Sequence, residues 1–316
     1  MQIGDLSIRE FQSRLSTGMC LSFGPFCTRI SSDLETFAET FHQCYAGLPV
    51  LCDDQIAHFS VSVRQRPGLR GHLRPQAEFL FEGLAPFDPY PRSHAFPMFE
   101  WGLNWCIANT AHHYLMLHAA VLEHHGRALI LPAPPGSGKS TLCAALVGRG
   151  WRLFSDEFGM LRLADGRLHP LPRAAPLKNA SIEVIREFAP TLTLGPRYER
   201  TRKGTVVHVF PPLASLARQT ETCVANALVF PRYVADAPTR VASLSPVVGV
   251  TRVIKNSFNY LFTAEAGFDA LCQLVRRADC YELTYSRLDE AVDRLDALLA
   301  ASGGLAQAAT GHAELA

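Results

Sequence analysis

Ala133-Pro-Pro-Gly-Ser-Gly-Lys-Ser140 is the stretch of sequence that decides the fold of this chain. It fits the Walker A pattern, with Ala in place of the first Gly. Gly136 and Gly138 let the backbone bend so that successive amide groups point inward toward an anion. We therefore expect the loop to bind the phosphates of a nucleotide. The residues predicted to contact it are Pro135, Gly136, Ser137, Gly138, Lys139, Ser140 and Thr141.

The segments around the loop favour the same interpretation. The apolar run Ala128–Leu131 leads into the loop, and a helical pattern covers Lys139–Arg149 before Gly150. Extended sequence resumes at Trp151–Phe154. Strand, glycine-rich loop, helix and strand in this order are typical of an α/β nucleotide-binding unit, in which the helix N-terminus favours an anion.

Composition excludes several other classes of protein. The chain has 316 residues, of which 48% are hydrophobic and 19% charged, and its formal net charge is +1. This balance gives no electrostatic reason to expect nucleic acid or a membrane surface as a partner. We see no signal peptide and no apolar run of about 18 residues, so we expect a soluble cytoplasmic protein. The nine scattered cysteines contain no C-x-x-C pair, which indicates reduced thiols.

The domain organisation is predicted from breaks in pattern. Residues 1–95 combine short β-like runs with Gly and Pro punctuation, and the turn-rich Pro86–Arg92 closes them. We expect a smaller N-terminal α+β domain there, which could recruit a phosphoryl acceptor. Residues 96–301 are predicted to form the nucleotide-binding domain, and residues 302–316, rich in Ala and Gly, a disordered tail.

The spacing after the loop departs from that of most P-loop proteins. The candidate for a second nucleotide motif, Trp151-Arg-Leu-Phe-Ser-Asp156, ends only 17 residues after Lys139. A His on a predicted strand, His118, lies 21 residues before that lysine, and Glu157 follows the aspartate. In these residues and spacings, from Leu115 to Gly159, the chain resembles the HPr kinase/phosphorylase family, and more closely its bacterial relatives, the HPr-kinase-related kinases.

The resemblance implies a fold and a set of roles. The fold would be an α/β, PEP-carboxykinase-like P-loop kinase core with a mixed sheet. Lys139 would bind the β- and γ-phosphates of ATP, with GTP as an alternative. Asp156 would act as general base toward a hydroxyl, and His118 would hold or tune the carboxylates. Mg²⁺ would be held by Ser140, Asp156 and Glu157.

Two departures from the family limit what carries over. The glycine-rich signature and magnesium-binding Glu that follow the acidic pair in true HPr kinases are not recognisable, and Glu183 is the nearest acidic candidate. HPr as the acceptor and the reverse, phosphorolytic reaction are therefore open. Residues 1–95 do not resemble the family's N-terminal domain, so a homo-oligomer like the family's hexamer is open as well.

A basic cluster, Arg200 with Arg202 and Lys203, precedes Gly204. Arg202 or Lys203 could neutralise charge in the transition state as an arginine finger does, and Arg202 is our catalytic candidate. The alternative is an exposed basic turn balanced by Glu199. Further candidate substrate or phosphate contacts are Lys178, Asn179, Arg232, Asn256 and Asn259.

Three functions are compatible with these patterns. The first is a kinase that phosphorylates a Ser or Thr hydroxyl of a protein or peptide. The second is a small-molecule kinase acting on a sugar or a lipid-linked intermediate. The third is a nucleotide-binding module without phosphotransfer, which would have no need for the acidic pair.

Overall fold

The computed structural model describes residues 1–52, 54–68 and 75–301. The fold is mixed α/β with mixed sheets, as the sequence predicts at that level. The tail predicted to be disordered, residues 302–316, lies outside the described residues. No helix in the described ranges is long and apolar enough to cross a membrane.

The helices and strands have the following bounds in the described part of the chain. The helices are α1 (Ile8–Thr17), α2 (Glu35–Cys44), α3 (Ala95–Thr110), α4 (Lys139–Gly148), α5 (Ala180–Phe188), α6 (Leu213–Ala217), α7 (Pro246–Lys255), α8 (Tyr260–Arg277) and α9 (Leu288–Ala301). The strands are β1 (Met19–Phe23), β2 (Phe26–Ser32), β3 (Phe59–Gln65), β4 (Gln76–Phe81), β5 (Tyr90–Pro91), β6 (Tyr114–His124), β7 (Arg127–Pro132), β8 (Arg152–Ser155), β9 (Phe158–Arg162), β10 (Leu168–His169), β11 (Ala175–Lys178), β12 (Tyr198–Thr201), β13 (Gly204–Val209), β14 (Ala225–Tyr233), β15 (Arg240–Ser243) and β16 (Asp279–Tyr285).

The chain divides into two compact units that alternate along the sequence. Unit 1 consists of Met1–Ala111, Leu171–Ile182 and Leu192–Thr220. Unit 2 consists of His112–Pro170, Glu183–Thr191 and the chain from Glu221 onward. Unit 1 thus extends past residue 95 to include α3 and, from later in the chain, the strands β11 to β13.

Unit 1 is built on a sheet of order β1-β2-β3-β4-β5, in which only β2 and β3 run parallel among the described strands. A second sheet has the order β11-β13-β12. Aromatic rings of α2 and α3 fill the core, with Phe41 and Phe99 centred 5.4 Å apart and both fully buried. Burying such a side chain contributes about 1.5–3 kcal/mol, so this aromatic cluster accounts for much of the stability of the unit.

Unit 2 is built on one mixed sheet of the described residues, of order β10-β9-β6-β7-β14-β16-β15, with β8 also paired to β6. Strand β14 runs parallel to both β7 and β16, whereas β6 runs antiparallel to β7, β8 and β9. One face of the sheet packs on α8 through a buried apolar cluster that includes Leu117, Val121, Ile130, Leu271 and Leu274.

Asn259 fixes the start of α8 on the sheet. Its side-chain carbonyl accepts from the Met116 amide at 2.9 Å, and its side-chain NH₂ donates to the Tyr114 carbonyl at 2.8 Å. Asn259 is only 1% exposed. Its side chain satisfies buried backbone groups of β6. The prediction that Asn259 contacts phosphate or substrate is therefore wrong, because both of its polar groups serve the fold.

We expect Asn259→Ala to lower the free energy of unfolding by about 2–4 kcal/mol, because two buried backbone groups lose their partners. Urea denaturation followed by circular dichroism measures this change. Asn256→Ala is the matched control: among the described residues the Asn256 side chain donates to the Arg252 carbonyl alone, and it is partly exposed, so a much smaller loss is expected. Equal losses in the two variants would contradict the assignment.

His208 on β13 is buried without a hydrogen-bond partner for either ring nitrogen among the described residues. Its ring is 1% exposed and lies 5.4 Å from the Phe96 ring. Burial, with nearby Arg173 and Lys178, lowers the pKa of His208 from its usual 6.5 to about 3. The folded state therefore holds this imidazole neutral at any ordinary pH.

The buried imidazole makes stability depend on pH. The pKa of His208 is lower in the folded state, so above pH 6.5 both states are neutral and this group adds no pH dependence to stability. As pH falls from 6.5 toward 3, the unfolded chain binds a proton that the folded chain excludes, and stability falls by up to about 1.4 kcal/mol per pH unit. Denaturation midpoints between these pH values should drop less steeply in His208→Leu than in the wild type. Exposed His125→Gln should leave the slope unchanged, and an unaltered slope in His208→Leu would refute the assignment.

Candidate nucleotide-binding site

The predicted phosphate loop connects β7 to α4, and the strand and helix predicted on either side of it are confirmed. Gly136 and Gly138 have φ values of +86° and +87°, the left-handed region that favours glycine. Gly138, the N-cap residue of α4, has no side chain that could cap the first amide groups of the helix. The loop therefore presents uncapped amides at the positive end of the helix dipole, which is the arrangement that binds anions.

Sheet topology brings a carboxylate to the loop. Strands β7 and β8 both run antiparallel to β6, so they run parallel to each other and end at the same edge of the sheet. The loop follows the last residue of β7, and Asp156 directly follows β8. The 17 residues from Lys139 to Asp156 are enough to bring the two side chains together. Helix α4 leads away from this edge of the sheet, and after one turn β8 returns to it.

Lys139, Ser140 and Asp156 form the centre of the site. The Lys139 ammonium donates to the Asp156 backbone carbonyl and lies 3.4 Å from Oδ1 of its carboxylate. The Ser140 hydroxyl donates to Oδ2 of the same carboxylate at 2.8 Å. The structure thus brings together three of the residues that the sequence predicts to act together.

The charged groups of this cluster are buried, so breaking their contact is costly in free energy. Lys139 is 7% exposed and Asp156 is 6% exposed, so each charge depends on the other for compensation. Removing one member of a buried pair typically costs about 3–5 kcal/mol, because an unpaired charge is left behind. Cys143 on α4 lies against the pair, and its burial raises the pKa of its thiol well above the usual range, with the Asp156 charge as a further cause. The thiol is therefore neutral beside the carboxylate.

Two tyrosines that the sequence did not indicate donate hydrogen bonds to backbone carbonyls of the loop. The Tyr285 hydroxyl donates to the Gly138 carbonyl at 3.2 Å, and the Tyr233 amide donates to the Ser137 carbonyl at 3.1 Å. Strands β14 and β16 are paired so that Tyr233 lies opposite Tyr285. Both strands end at the same edge as β7, because they run parallel to it. Burial raises the pKa of Tyr285, which keeps its hydroxyl protonated and able to donate.

His118 and Glu157 lie at the same edge. His118 is on β6 opposite Phe158, and its carbonyl accepts from the Ala133 amide at the start of the loop at 3.4 Å. The neighbouring Ala119 amide donates to the Glu157 carbonyl at 3.3 Å. The His118 ring packs edge-to-face on Phe258, with centroids 5.3 Å apart. The backbone thus places His118 beside the acidic pair, and its predicted action on the carboxylates stays a prediction.

The donor set fits a magnesium nucleotide. The Ser137 hydroxyl in the loop is buried and has no hydrogen-bond partner among the described residues, so a polar group is left for a ligand. The described residues contain no cluster of three or more His, Cys, Asp or Glu that could hold a metal alone. Mg²⁺ rarely uses such a cage, since it keeps waters and binds through one or two carboxylates together with substrate phosphates. Ser140 and Asp156, with Glu157 next in the chain, are the residues that would hold it.

Of the other candidates, Arg202, Lys203 and Asn179 belong to unit 1, and Glu183 lies on α5. Arg202 and Lys203 lie on the exposed turn between β12 and β13 in unit 1, whereas the loop is in unit 2. Glu183 on α5 is exposed and pairs with Arg186 at 2.7 Å. The Asn179 side chain accepts from the Thr205 amide at 3.1 Å, which fixes the β12–β13 turn. The arginine-finger role of Arg202 stays a prediction.

No protein-family model matches this chain, and no curated protein matches it either. The geometry of the site is therefore what supports a function.

The loop glycines differ in their surroundings, which makes a matched pair of substitutions informative. A Cβ at Gly136 would meet no atom within 4 Å, whereas a Cβ at Gly138 would lie 2.5 Å from the Tyr285 hydroxyl. We expect Gly136→Ala to cost about 1–2 kcal/mol of stability through positive φ alone. Gly138→Ala should cost about 1–3 kcal/mol more through overpacking.

Chemical denaturation without nucleotide measures both glycine substitutions. Adding Tyr285→Phe to Gly138→Ala removes the nearest clashing atom and should recover part of the additional loss. If Gly138→Ala were no worse than Gly136→Ala, the close contact with Tyr285 would not hold.

Proposed function

We propose that this chain is an ATP-dependent phosphotransferase that phosphorylates a Ser or Thr hydroxyl of a protein or peptide, by a mechanism of the HPr-kinase kind on a PEP-carboxykinase-like core. The observation that carries the proposal is the convergence of Lys139, Ser140 and Asp156 at the mouth of the phosphate loop. A lysine, a hydroxyl and a carboxylate beside uncapped loop amides are the set that phosphoryl transfer requires.

Each residue has a role that its position supports. The amides of Gly136 to Thr141 and the Lys139 ammonium hold the phosphates of ATP, or of GTP as the alternative. Ser140 and Asp156, with Glu157, hold Mg²⁺, which when bound neutralises charge on the phosphates. Asp156 also accepts the proton of the acceptor hydroxyl as its oxygen bonds to the γ-phosphorus, while the bond from that phosphorus to the β,γ-bridging oxygen breaks and ADP leaves. His118 orients the acidic pair.

The contacts of Asp156 in the chain without substrates hold its carboxylate in position. Its carboxylate is held by the donors of Lys139 and Ser140, so its position is fixed before substrates bind. Phosphate oxygens offer Lys139 an equivalent partner, which frees one carboxylate oxygen for the acceptor. Asp156 is nearly inaccessible to bulk water, and this favours transfer to a bound hydroxyl over hydrolysis.

The proposal separates binding from chemistry in two variants. Lys139→Ala should weaken MgATP binding at least about tenfold in calorimetry, because a charged contact to phosphate is lost. Asp156→Asn should lower the rate of transfer by about 10²–10⁴-fold, because the base is lost, and should weaken MgATP binding less than Lys139→Ala does, because its amide oxygen can still bind Mg²⁺. Circular dichroism checks that both variants fold without the buried charge pair. Transfer is followed with γ-labelled ATP and an array of degenerate Ser- and Thr-containing peptides. Asp293→Asn, an exposed change on α9, is the control and should leave both quantities unchanged.

Each other outcome has a definite meaning. A wild-type rate of transfer in the Asp156→Asn variant would contradict the assignment of Asp156 as the base. Labelling of free sugars in preference to peptides would favour a small-molecule kinase. Tight MgATP binding without transfer to any acceptor would favour a non-catalytic nucleotide-binding module, and no binding at all would refute the whole proposal.

A further inference from the structure

The turn between β12 and β13 in unit 1 carries an exposed concentration of positive charge. Arg200, Arg202 and Lys203 are all exposed, and none of the three forms an ion pair with a described residue. The acidic residue beside them, Glu199, is 3.7 Å from Arg197. Arg200, Arg202 and Lys203 lie within four consecutive residues, and their like charges repel each other. An anionic partner would therefore remove an unfavourable interaction on binding.

Two aromatic rings lie under these cations. The Arg202 guanidinium is 5.4 Å from the centroid of the Tyr90 ring, and the Lys203 ammonium is 5.6 Å from that of Trp101. The two rings contact each other edge-to-face at 5.9 Å. Cation–π contacts of this kind orient the charged groups without neutralising them. We call Arg200, Arg202, Lys203, Tyr90 and Trp101 the basic–aromatic surface.

The backbone of the turn is fixed by its own hydrogen bonds. The Lys203 amide donates to the Thr201 hydroxyl at 3.1 Å, and that hydroxyl donates to the Gly204 carbonyl at 2.8 Å. Gly204 has φ of +84°, and a Cβ there would lie 2.4 Å from the Asn179 side-chain oxygen. The backbone that carries the three cations is therefore fixed before any partner arrives, which lowers the entropic cost of binding.

We propose that the basic–aromatic surface binds an acidic segment of a partner protein, with Asp and Glu side chains paired to Arg202, Lys203 and Arg200. Guanidinium groups pair with carboxylates through two parallel hydrogen bonds, and the exposed Arg202 can offer its N–H groups to them. The surface lies in unit 1 and makes no use of the phosphate loop. It thus provides a docking site for a partner in addition to the nucleotide site.

A single-stranded nucleic acid fits this surface less well. Such ligands are held largely by bases that stack on open aromatic faces. Here the faces of Tyr90 and Trp101 are already covered by Arg202 and Lys203. The formal net charge of the chain is only +1, so the long-range attraction that nucleic-acid-binding proteins use is weak.

The test uses the full chain without nucleotide, so that its outcome is independent of the phosphotransferase proposal. A fluorescein-labelled peptide of alternating Glu and Gly is titrated with protein and followed by fluorescence anisotropy. We expect saturable binding that weakens as NaCl rises from about 50 mM to about 300 mM, since paired surface charges are screened. The Gln–Gly counterpart should not bind.

Variants locate the binding. The double change Arg202→Gln with Lys203→Gln should weaken binding of the acidic peptide at least about tenfold, because two charged contacts are lost. Arg149→Gln is the matched control: Arg149 is also exposed and lies over a ring, 5.1 Å from Phe188, but belongs to unit 2. It should leave the affinity unchanged. Circular dichroism and melting temperature confirm that each variant is folded.

Three results would overturn the proposal. The first is the absence of acidic-peptide binding at low salt, and the second is equal loss of affinity in the double variant and in Arg149→Gln. The third is tighter binding of labelled oligo(dT) than of the acidic peptide, which would assign the surface to nucleic acid instead.

Discussion

The buried contact between the Lys139 ammonium and Asp156 is the constraint on which the rest of unit 2 depends. A charge that is excluded from water needs a partner, so α4 is stable in its position only if β8 delivers a carboxylate to its first turn. Pairing of both β7 and β8 with β6 meets that condition, because the two strands then end at one edge of the sheet. The fold needs a partner for a buried charge, and the proposed phosphoryl transfer needs a lysine and a carboxylate. Lys139 and Asp156 meet both requirements.

Other groups of the site lie at the same edge of the sheet. Parallel strands β7, β14 and β16 end side by side, so Tyr233 and Tyr285 meet the loop that leaves β7. Ligands of open α/β sheets bind at the carboxyl ends of such strands, because the loops there converge and the helices that follow present their N-termini. The left-handed conformation of Gly138 and its tight contact with Tyr285 show that the loop has little freedom to adopt another shape.

Unit 1 carries polar groups of a different kind. In its interior Arg173 pairs with Glu100 at 2.8 Å, and the Tyr45 hydroxyl donates to the same carboxylate at 2.7 Å, so buried charge is compensated within the unit. On its surface the cations of the β12–β13 turn are paired with aromatic rings and with no described carboxylate. The buried charges Arg173 and Glu100 are thus paired within the unit, whereas Arg202 and Lys203 lie exposed over aromatic rings.

The sequence by itself determined the local features: the loop, its flanking strand and helix, the mixed α/β class, and Asp156 as a candidate for the same site as Lys139. These are set by residue type and short spacing, since glycine conformation, helix periodicity and a single intervening helix act over few residues. Only the tertiary structure decided that Tyr285 supports Gly138 and that Asn259 joins α8 to β6, across 147 and 143 residues. It also decided that Arg202 and Lys203 lie over Tyr90 and Trp101. Such contacts depend on strand order and on the direction of each side chain, neither of which leaves a periodic signal in one sequence.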